Sequence, residues 1–473
     1  MAVTRSLMED VAAWADGWLA HRQQTLGIPG LQFAIAHEGS ILLSSAHGRA
    51  DLASGEALTS DHLFCIASHS KTFTATAIMQ LADEPAPAVR LDDRLSSHLG
   101  WLVDDPATAR LANLTVEELL CHGGGVIRDG TDGDCWQLRR SFPDTAELRE
   151  LLTRGPSPFA ANERFHYSNV AYSLLGCVIE AVTGHGYAEH LREAIIAPLG
   201  LHDTDPDFVE ERAAHYAAGH THNSNGEPRI PIDPVPTNAM APATGFTSTA
   251  EDLVHFFGAL CFGDERVISD AAKRRMQLPR WTQHGNEHYG LGLQILDVGE
   301  RRVIGHSGGY PGHSTKTWCD PRDAIVVSVL GNAIDAPAAE LGTGIFRLID
   351  RVARRDGVIP THAPGSKPRS FTGRFANLWG MYDIAAFDDR LLYVPLGSND
   401  PAEVAGELAV EDGTTAMLVR ARDGYESEGE RFVFERDAAG EIVRVRGTSS
   451  MSAYPEEEYA RRFLSAPRVQ LRS

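Results

Sequence analysis

The sequence lacks the features that would assign the protein to a membrane or to nucleic acid. It has 43 lysine and arginine residues against 64 aspartate and glutamate residues, so its formal net charge is −21. Binding to phosphate backbones or anionic lipids needs clustered basic residues, and this balance argues against both partners. The chain has no run of about 18 consecutive apolar residues, so we expect no membrane-spanning helix.

Cysteine is also scarce, and its spacing is uninformative. The 473 residues include six cysteines, with no C-x-x-C pair and no zinc-finger spacing to a histidine. This pattern predicts free, mostly buried thiols in a reducing compartment. The first residues carry the acids Glu9, Asp10 and Asp16 and no apolar core of a signal peptide. We therefore expect a cytoplasmic protein.

The length and the pattern of apolar residues predict more than one domain. A helical stripe opens the chain, a hairpin turns at Glu38-Gly39, and consecutive strands run from about 288 to 331. A stretch rich in proline and glycine, 356–372, is typical of a linker. Short strand-like runs separated by turn residues follow in 373–473 and predict a small antiparallel β-barrel. The predicted division is therefore 1–355, 356–372 and 373–473.

One short motif makes Ser307 a candidate nucleophile, but its context argues against this role. Residues 305–309 fit G-x-S-x-G, the nucleophile elbow of α/β-hydrolases, and 122–125 read HGGG, as in the oxyanion motif of lipases. An elbow needs a helix directly after its serine, but Pro311 and Gly312 forbid one. The HGGG segment follows a predicted helix instead of a strand. We therefore expect Ser307 to be a bystander.

A second serine has a better chemical context. Ser68 and Lys71 form S-x-x-K at the predicted start of a helix, where positions three apart lie on one face. A lysine whose pKa is lowered by burial can take the proton of a serine hydroxyl. The motif alone is weak, because a surface Ser and Lys on an amphipathic helix would give the same letters. Apolar flanks on both sides favour the buried alternative.

Two further motifs follow in the chain. Tyr167 and Asn169 form Y-x-N just before a predicted buried helix, and His306 and Gly308 form H-x-G on a predicted strand. A tyrosine beside a lysine can relay a proton, and an asparagine amide can bind both a lysine and a carbonyl. Taken singly, the first is more typical of a core tyrosine with a helix-capping Ser or Asn, and the second is common by chance.

The ordered set S-x-x-K, Y-x-N and H-x-G resembles the serine β-lactamase and penicillin-binding-protein superfamily. The resemblance is closest to the branch of class C β-lactamases, D-alanyl-D-alanine carboxypeptidases, D-aminopeptidases and related esterases. It extends over about residues 5–350 through flanks such as IPGLQFAIAHEG and FHYSNVAYSLLGCVIE. It implies an α/β (α+β) fold with an antiparallel sheet flanked by helices and a helical subdomain. The C-terminal part resembles the lipocalin-like barrels of some members.

The resemblance also implies roles for individual residues. Ser68 would be the acylated nucleophile, Lys71 its activator and Tyr167 the general base and acid. Asn169 would orient Lys71 and the substrate. The backbone N–H groups of Ser68 and Gly309 would bind the oxyanion, and Gly308 would give the substrate access to the backbone. His306 stands where β-lactamases carry the lysine of K-T-G, which argues against efficient penicillin turnover because histidine is mostly neutral at pH 7.

The resulting prediction is a serine hydrolase that cleaves amide bonds of small peptides or amino-acid amides, with D-residues as candidates. The alternatives are a carboxylesterase, a β-lactamase or penicillin-binding protein, and a non-catalytic sensor or scaffold of the same fold. The substrate would be a small molecule or short peptide, and the sequence leaves a homo-oligomer open. No cofactor or metal is expected. His220 and His222 form H-x-H, with His215 nearby, but no third metal ligand with convincing spacing appears.

Overall fold

The structure is a computed structural model that describes residues 3–154, 157–223, 226–354, 361–420, 428–447 and 450–464. The chain forms two compact units. The first, here called the sheet unit, is Gln23–Gly342, and the second, the barrel unit, combines Met1–Arg22 with Thr343–Ser473. Each unit has its own hydrophobic core.

The strands of the sheet unit form one large antiparallel sheet and two small two-stranded pairs. In the described residues the large sheet has eight strands in the order β2-β1-β12-β11-β10-β9-β8-β7, and the pairs are β3-β6 and β4-β5. The strands of this unit are β1 Gly30–His37, β2 Ser40–Gly48, β3 Phe64–Cys65, β4 Gly219–His220, β5 Pro231–Ile232, β6 Thr247–Ser248, β7 Trp281–His284, β8 Glu287–Tyr289, β9 Gln294–Val298, β10 Arg301–Tyr310, β11 His313–Asp320 and β12 Ile325–Gly331.

The predicted hairpin between β1 and β2 is present. Glu38 and Gly39 form its two-residue turn, and their φ angles are 49° and 74°. Two positive φ angles match the right-handed twist of paired strands, and glycine meets this requirement without steric cost. The turn fixes the register in which His37 pairs with Ser40.

Helices cover this sheet and form a separate layer beside it. The helix α10 packs on β1, β11 and β12, and α2, α6 and α9 pack on one another. Both α2 and α6 are buried over most of their length, as expected for helices that are apolar on several sides. The α-helices in the described part of the chain are α1 Arg5–Thr25, α2 Ser70–Asp83, α3 Ala109–Ala112, α4 Val116–Leu120, α5 Thr145–Arg154, α6 Asn169–Thr183, α7 Tyr187–Leu191, α8 Ala197–Leu199, α9 Ala241–Thr244, α10 Ala250–Gly258, α11 Asp270–Met276, α12 Ala338–Ala353, α13 Pro401–Val404 and α14 Glu456–Tyr459.

Capping-box spacing in the sequence, Thr115 with Glu118 and Ser248 with Glu251, predicts two helix starts, and the second is wrong by one residue. Thr115 caps α4 in a complete capping box with Glu118. For α10 the spacing predicted a cap at Ser248, but Thr249 accepts the hydrogen bond from the backbone N–H of Asp252. The reason is that Ser248 ends strand β6 and its hydroxyl bonds that of Thr204 at 2.8 Å.

The barrel unit contains the predicted antiparallel barrel. Its strands close into a ring because the first strand pairs with both the second and the last. Alternate side chains fill the interior with apolar residues such as Phe375, Leu391 and Phe434. The strands, counted in the described residues, are β13 Gly373–Asn377, β14 Gly380–Phe387, β15 Arg390–Pro395, β16 Gly406–Val410, β17 Thr415–Arg420, β18 Arg431–Arg436, β19 Ile442–Arg446 and β20 Ser452–Pro455.

The N-terminal helix α1 contacts this barrel through polar side chains. The indole N–H of Trp14 donates to Asp383 at 3.0 Å, and Arg369 forms two bonds to the carboxylate of Asp10. The guanidinium of Arg22 donates to Asn399 and to the carbonyl of Leu396. These bonds explain why the first 22 residues belong to the barrel unit.

The end of α12 is held by a buried arginine of the barrel. Arg390 forms a two-pronged ion pair with Glu407 at 2.7 and 2.9 Å, and both side chains are buried. The same guanidinium donates to the carbonyls of Arg351, Val352 and Arg354. These are the carbonyls that a helix end leaves without an internal partner, so Arg390 caps α12.

The predicted domain boundaries remain predictions. Residues 356–360 of the predicted linker lie outside the described residues, as do 421–427, 448–449 and 465–473 of the predicted barrel domain. The remaining linker residues include a short 3-10 turn at Pro368–Phe371.

The cap of α10 gives a direct test of the corrected helix start. We expect Thr249→Ala to lower the free energy of unfolding by about 1 kcal/mol, because the N–H of Asp252 loses its acceptor. Urea denaturation with an unchanged slope measures the loss. Glu251→Ala is the matched control and should change stability by less than about 0.5 kcal/mol. A loss in Glu251→Ala with none in Thr249→Ala would instead support a capping box that begins at Ser248.

Candidate active site

Ser68 lies in a tight turn directly before α2. The turn is a 3-10 helix, Ala67–His69, and the helix proper begins at Ser70. Ala67 has a φ angle of 46°, a left-handed conformation that is uncommon for a residue with a side chain. Such strain is most often found where a side chain has to be held in a functional position. Here it places the half-buried Ser68 above the first turn of α2.

Lys71 joins Ser68 to two other elements. Its amine lies 3.0 Å from the hydroxyl of Ser68, 2.7 Å from the side-chain oxygen of Asn169 and 2.7 Å from the backbone carbonyl of Ala243. These three oxygens belong to the turn before α2, the first residue of α6 and the helix α9. The S-x-x-K spacing therefore brings the two side chains together as predicted.

Burial controls the protonation of Lys71. The side chain is fully buried, and this burial lowers its pKa well below the usual 10.5. Asp129 acts in the opposite direction and Arg128 in the same direction. Because desolvation disfavours the charged form, Lys71 is suited to accept a proton from a neighbouring hydroxyl.

The orientation of the Asn169 amide is fixed from both ends. Its nitrogen donates to a carboxylate oxygen of Asp129 at 2.5 Å, and its oxygen accepts from Lys71. The same carboxylate oxygen accepts the indole N–H of Trp136 at 3.1 Å. A carboxylate accepts only, so the amide has to present its NH₂ group to Asp129 and its oxygen to Lys71.

Tyr167 completes a cluster around the lysine. The amine of Lys71 lies 4.8 Å from the centre of the Tyr167 ring, within cation–π range. Burial raises the pKa of Tyr167 above its usual value, while a hydrogen bond with Ser68 acts in the opposite direction. The phenol is therefore kept protonated beside the serine and is suited to donate a proton.

The second half of β10 forms the opposite wall. Among the described residues, β10 pairs with β9 only over 301–305 and with β11 over 304–310, so its last five residues have a free edge. A side chain at Gly308 would collide with the carbonyl of Ile66, next to the serine turn. Gly309 is exposed, with open space where a side chain would begin. The strand therefore packs directly against the residue that precedes the serine turn, with no room for a side chain at Gly308.

His306 is buried in this wall and is held neutral. Its Nδ1 lies 2.7 Å from the carbonyl of Ser307 and its Nε2 lies 3.1 Å from the hydroxyl of Tyr289. A carbonyl only accepts, so we assign the proton to Nδ1, and Nε2 then accepts from Tyr289. Burial, with help from Lys71, lowers the pKa of His306 well below 6.5.

Ser307 points to the other face of the sheet. Its hydroxyl accepts from the side chain of Gln294 at 3.1 Å, and Gln294 also accepts from the buried Lys316 at 2.5 Å. It lies in the middle of β10, and no helix follows it before β11 begins at His313. The prediction that this serine is not in a nucleophile elbow is confirmed.

A comparison with known families decides the assignment. The family model described as Beta-lactamase matches residues 15–345, which is more than half of the chain. The chain belongs to the Beta-lactamase family. The predicted superfamily of serine β-lactamases and penicillin-binding proteins is thereby confirmed.

Relatives and solved structures agree with this membership of the Beta-lactamase family. Penicillin-binding protein 4* of Bacillus subtilis (strain 168) is 30% identical over 307 residues, 62% of this chain and 66% of that protein, so the chain spans just under two thirds of it. Penicillin-binding protein 4 of Amycolatopsis lactamdurans is 27% identical over 395 residues, 79% of this chain and 98% of that protein.

Among solved structures, D-amino acid amidase from Ochrobactrum anthropi SV3, complexed with L-phenylalanine amide, is 27% identical with a TM-score of 0.57. It covers 68% of this chain and 92% of its own. An octameric penicillin-binding protein homologue from Pyrococcus abyssi, 20% identical with a TM-score of 0.61, covers 92% of this chain and 97% of its own. The fold of this Beta-lactamase family member is therefore that of serine hydrolases and amidases.

Three residues that contact the predicted site residues in this Beta-lactamase fold were not predicted from the sequence. Asp129 orients Asn169, the carbonyl of Ala243 binds Lys71, and Tyr289 holds His306. All three contacts join positions remote in the chain. Asp129 is an acid in a polar segment of the chain, and such acids are too common for the sequence to mark this one as part of a site.

Of the histidines considered as metal ligands, His220 has a structural role. His220 lies 2.8 Å from the carbonyl of Asn332 through Nδ1, and its Nε2 accepts from the backbone of Leu52. No group of three metal-ligating side chains is found in the part of the chain that the structure describes. A search of the same residues finds no helix both long and apolar enough to cross a bilayer.

The close approach of β10 to the serine turn gives the next prediction. We expect Gly308→Ala to lower the free energy of unfolding by about 2 kcal/mol, because the added methyl group overlaps the carbonyl of Ile66. Gly309→Ala is the matched control on the same strand and should be nearly neutral. Chemical denaturation of both variants measures the difference, and equal stabilities would contradict the packing described for β10.

Proposed function

We propose that this protein is an acyl-enzyme serine hydrolase that cleaves amide bonds of small peptides or amino-acid amides, with Ser68 as the nucleophile. The observation that carries the proposal is the fully buried Lys71, whose amine lies 3.0 Å from the hydroxyl of Ser68. A surface pair of Ser and Lys would have neither this burial nor two further fixed acceptors on the lysine.

In the proposed acylation, Lys71 in its neutral form takes the proton of Ser68 as the oxygen attacks the substrate carbonyl. A C–O bond forms, the carbonyl π electrons move to oxygen, and a tetrahedral intermediate results. The leaving nitrogen then receives a proton from Tyr167, and the C–N bond breaks. The lowered pKa of Lys71 and the raised pKa of Tyr167 support this division into base and acid.

The acyl-enzyme is then hydrolysed by water. The water loses a proton to the Lys71–Tyr167 pair as its oxygen attacks the ester carbonyl, and Ser68 leaves with a proton restored to its oxygen. In both half-reactions the backbone N–H groups of Ser68 and Gly309 would bind the oxyanion. The open space at Gly309 and the close approach of β10 to the serine turn support this arrangement.

The free edge of β10 supports a substrate with a peptide-like backbone. Over 306–310 the strand is paired with a neighbouring strand on one side only in the described residues, so the backbone at Gly309 is open to a further strand on its other side. An extended amide can add to such an edge as a further strand. Asn169 would bind the substrate carbonyl with the amide hydrogen that Asp129 leaves over.

The neutral state of His306 supports amides over penicillins. Both ring nitrogens are engaged, and burial keeps the imidazole uncharged, so it supplies no cation for the carboxylate of a β-lactam. The likeness to the D-amino acid amidase from Ochrobactrum anthropi SV3 supports the same choice, and amides of D-residues are the first candidates.

The other functional predictions stay predictions. These are carboxylesterase activity, β-lactamase or penicillin-binding activity, a non-catalytic sensor or scaffold, a homo-oligomer, the likeness of the barrel to lipocalins, a cytoplasmic location, and the absence of nucleic-acid and membrane partners. The activities are separated by one screen of D- and L-aminoacyl amides, p-nitrophenyl esters and a chromogenic cephalosporin.

The first prediction for the proposed function concerns the nucleophile. We expect a fluorophosphonate probe to label Ser68 and Ser68→Ala to lower kcat on an aminoacyl amide by at least about 10³-fold, since the covalent route is lost. Intact-mass and peptide spectrometry locate the label, and steady-state assays measure kcat. Ser307→Ala is the matched control and should keep wild-type activity. Unlabelled Ser68 together with an unchanged Ser68→Ala rate would refute the catalytic proposal.

A pair of variants at the site tests the assigned pKa shifts. The cation of Arg128 lowers the pKa of both Lys71 and Tyr167, and the anion of Asp129 raises both. Arg128→Gln should therefore raise both values and move the whole pH profile of kcat/KM to higher pH. Asp129→Asn should move it to lower pH.

The Arg128 effect should be modest and should shrink in high salt, because its side chain is 65% exposed. Initial rates on one amide from pH 5 to 10 measure both profiles. Shifts of the same sign in the two variants would contradict the proposed charge balance.

A further inference from the structure

His122 lies beside the site without a part in the proposed reaction. It is the first residue of the HGGG segment, is 1% exposed and has a φ angle of 61°. A non-glycine residue in this conformation costs free energy unless the surroundings hold it. Its position is therefore determined by what it contacts.

These contacts clamp the loop that carries Tyr167 on both sides. The carbonyl of His122 accepts from the backbone N–H of His166 at 3.0 Å, and its Nδ1 accepts from the N–H of Ser168 at 3.2 Å. The residues immediately before and after Tyr167 are thus bonded to one histidine. Since Nδ1 accepts, the proton of the neutral ring lies on Nε2.

The ring of His122 also packs against the phenol itself. The two ring centres are 4.3 Å apart, and the rings of Tyr289 and Tyr172 lie 4.9 and 5.1 Å from His122. Within the described residues, Nε2 has no hydrogen-bond partner. A buried polar atom without a partner destabilises the folded state, so an apolar residue would be more favourable here if the role were purely structural.

We propose that His122 is a positioning residue that holds the phenol of Tyr167 at the Ser68–Lys71 pair. This inference rests on the proposed function, because it assumes that Tyr167 protonates the leaving group. The bonds from the N–H groups of His166 and Ser168 fix the position of the loop relative to His122. The imidazole packs against the phenol and so restricts its rotation. Lys71, 4.8 Å from the ring centre of Tyr167, bounds the phenol as well.

Two variants separate the acceptor of His122 from its backbone conformation. His122→Gly removes the ring and tolerates a φ of 61°. His122→Asn also tolerates this φ and supplies an oxygen that can accept from the N–H of Ser168. We expect His122→Gly to lower kcat for an aminoacyl amide by at least about tenfold with KM within about twofold, as expected for an interaction used in the transition state. His122→Asn should recover most of kcat.

The leaving group provides the specific readout. A p-nitrophenolate leaves without protonation, so His122→Gly and Tyr167→Phe should both impair turnover of the amide far more than turnover of the matched p-nitrophenyl ester. A double-mutant cycle then tests whether one residue acts through the other. In the Tyr167→Phe background, His122→Gly should have no further effect on kcat for the amide.

His37→Ala controls for loss of a buried histidine in general. His37 is 2% exposed at the end of β1 and has an unpartnered Nδ1 among the described residues. The His37→Ala variant should be less stable, but its turnover of the amide should not fall more than its turnover of the ester. Multiplicative losses in the cycle, or equal losses on amide and ester, would overturn the role of His122 while Ser68→Ala still abolished activity. A Ser68→Ala variant with full activity would instead refute the proposed function itself.

Discussion

The arrangement around Ser68 depends on one buried amine. Removing Lys71 from water disfavours its charged form, and no carboxylate contacts its amine directly among the described residues. Three oxygens from separate parts of the chain meet it instead. The start of α2, the start of α6 and the helix α9 therefore have to keep their spacing, since a longer separation would leave the amine unsatisfied.

Two strained residues flank this amine, and each lies next to a side chain of the site. Ala67 precedes Ser68, and His122 contacts the loop of Tyr167; both have φ angles near those of a left-handed helix. On the third side, Gly308 lets β10 contact the serine turn without a side chain between them. The surrounding core, not local preference, thus sets these conformations, so the geometry exists before a substrate binds.

The features that could be predicted from the sequence are those set by residues adjacent in the chain. The hairpin at Glu38-Gly39, the cap at Thr115 and the absence of a helix after Ser307 all follow from local conformational preferences. Ser68 and Lys71 were paired correctly because three residues make about one helical turn. The cap of α10 was misplaced because the hydroxyl of Ser248 has a remote partner. Asp129 and the carbonyl of Ala243 were missed because their contacts form only when the chain has folded, and a backbone carbonyl has no signature in the sequence.

The capping of α12 by Arg390 bears on how such a chain can evolve. The guanidinium that satisfies the last carbonyls of the helix comes from the barrel and is itself balanced by Glu407. A cut after the helix would therefore leave these carbonyls without their donor on one fragment and Arg390 without these acceptors on the other. Gene fusion or loss at this point carries a folding penalty on both sides of the junction. The end of α12 and the barrel therefore depend on each other through Arg390.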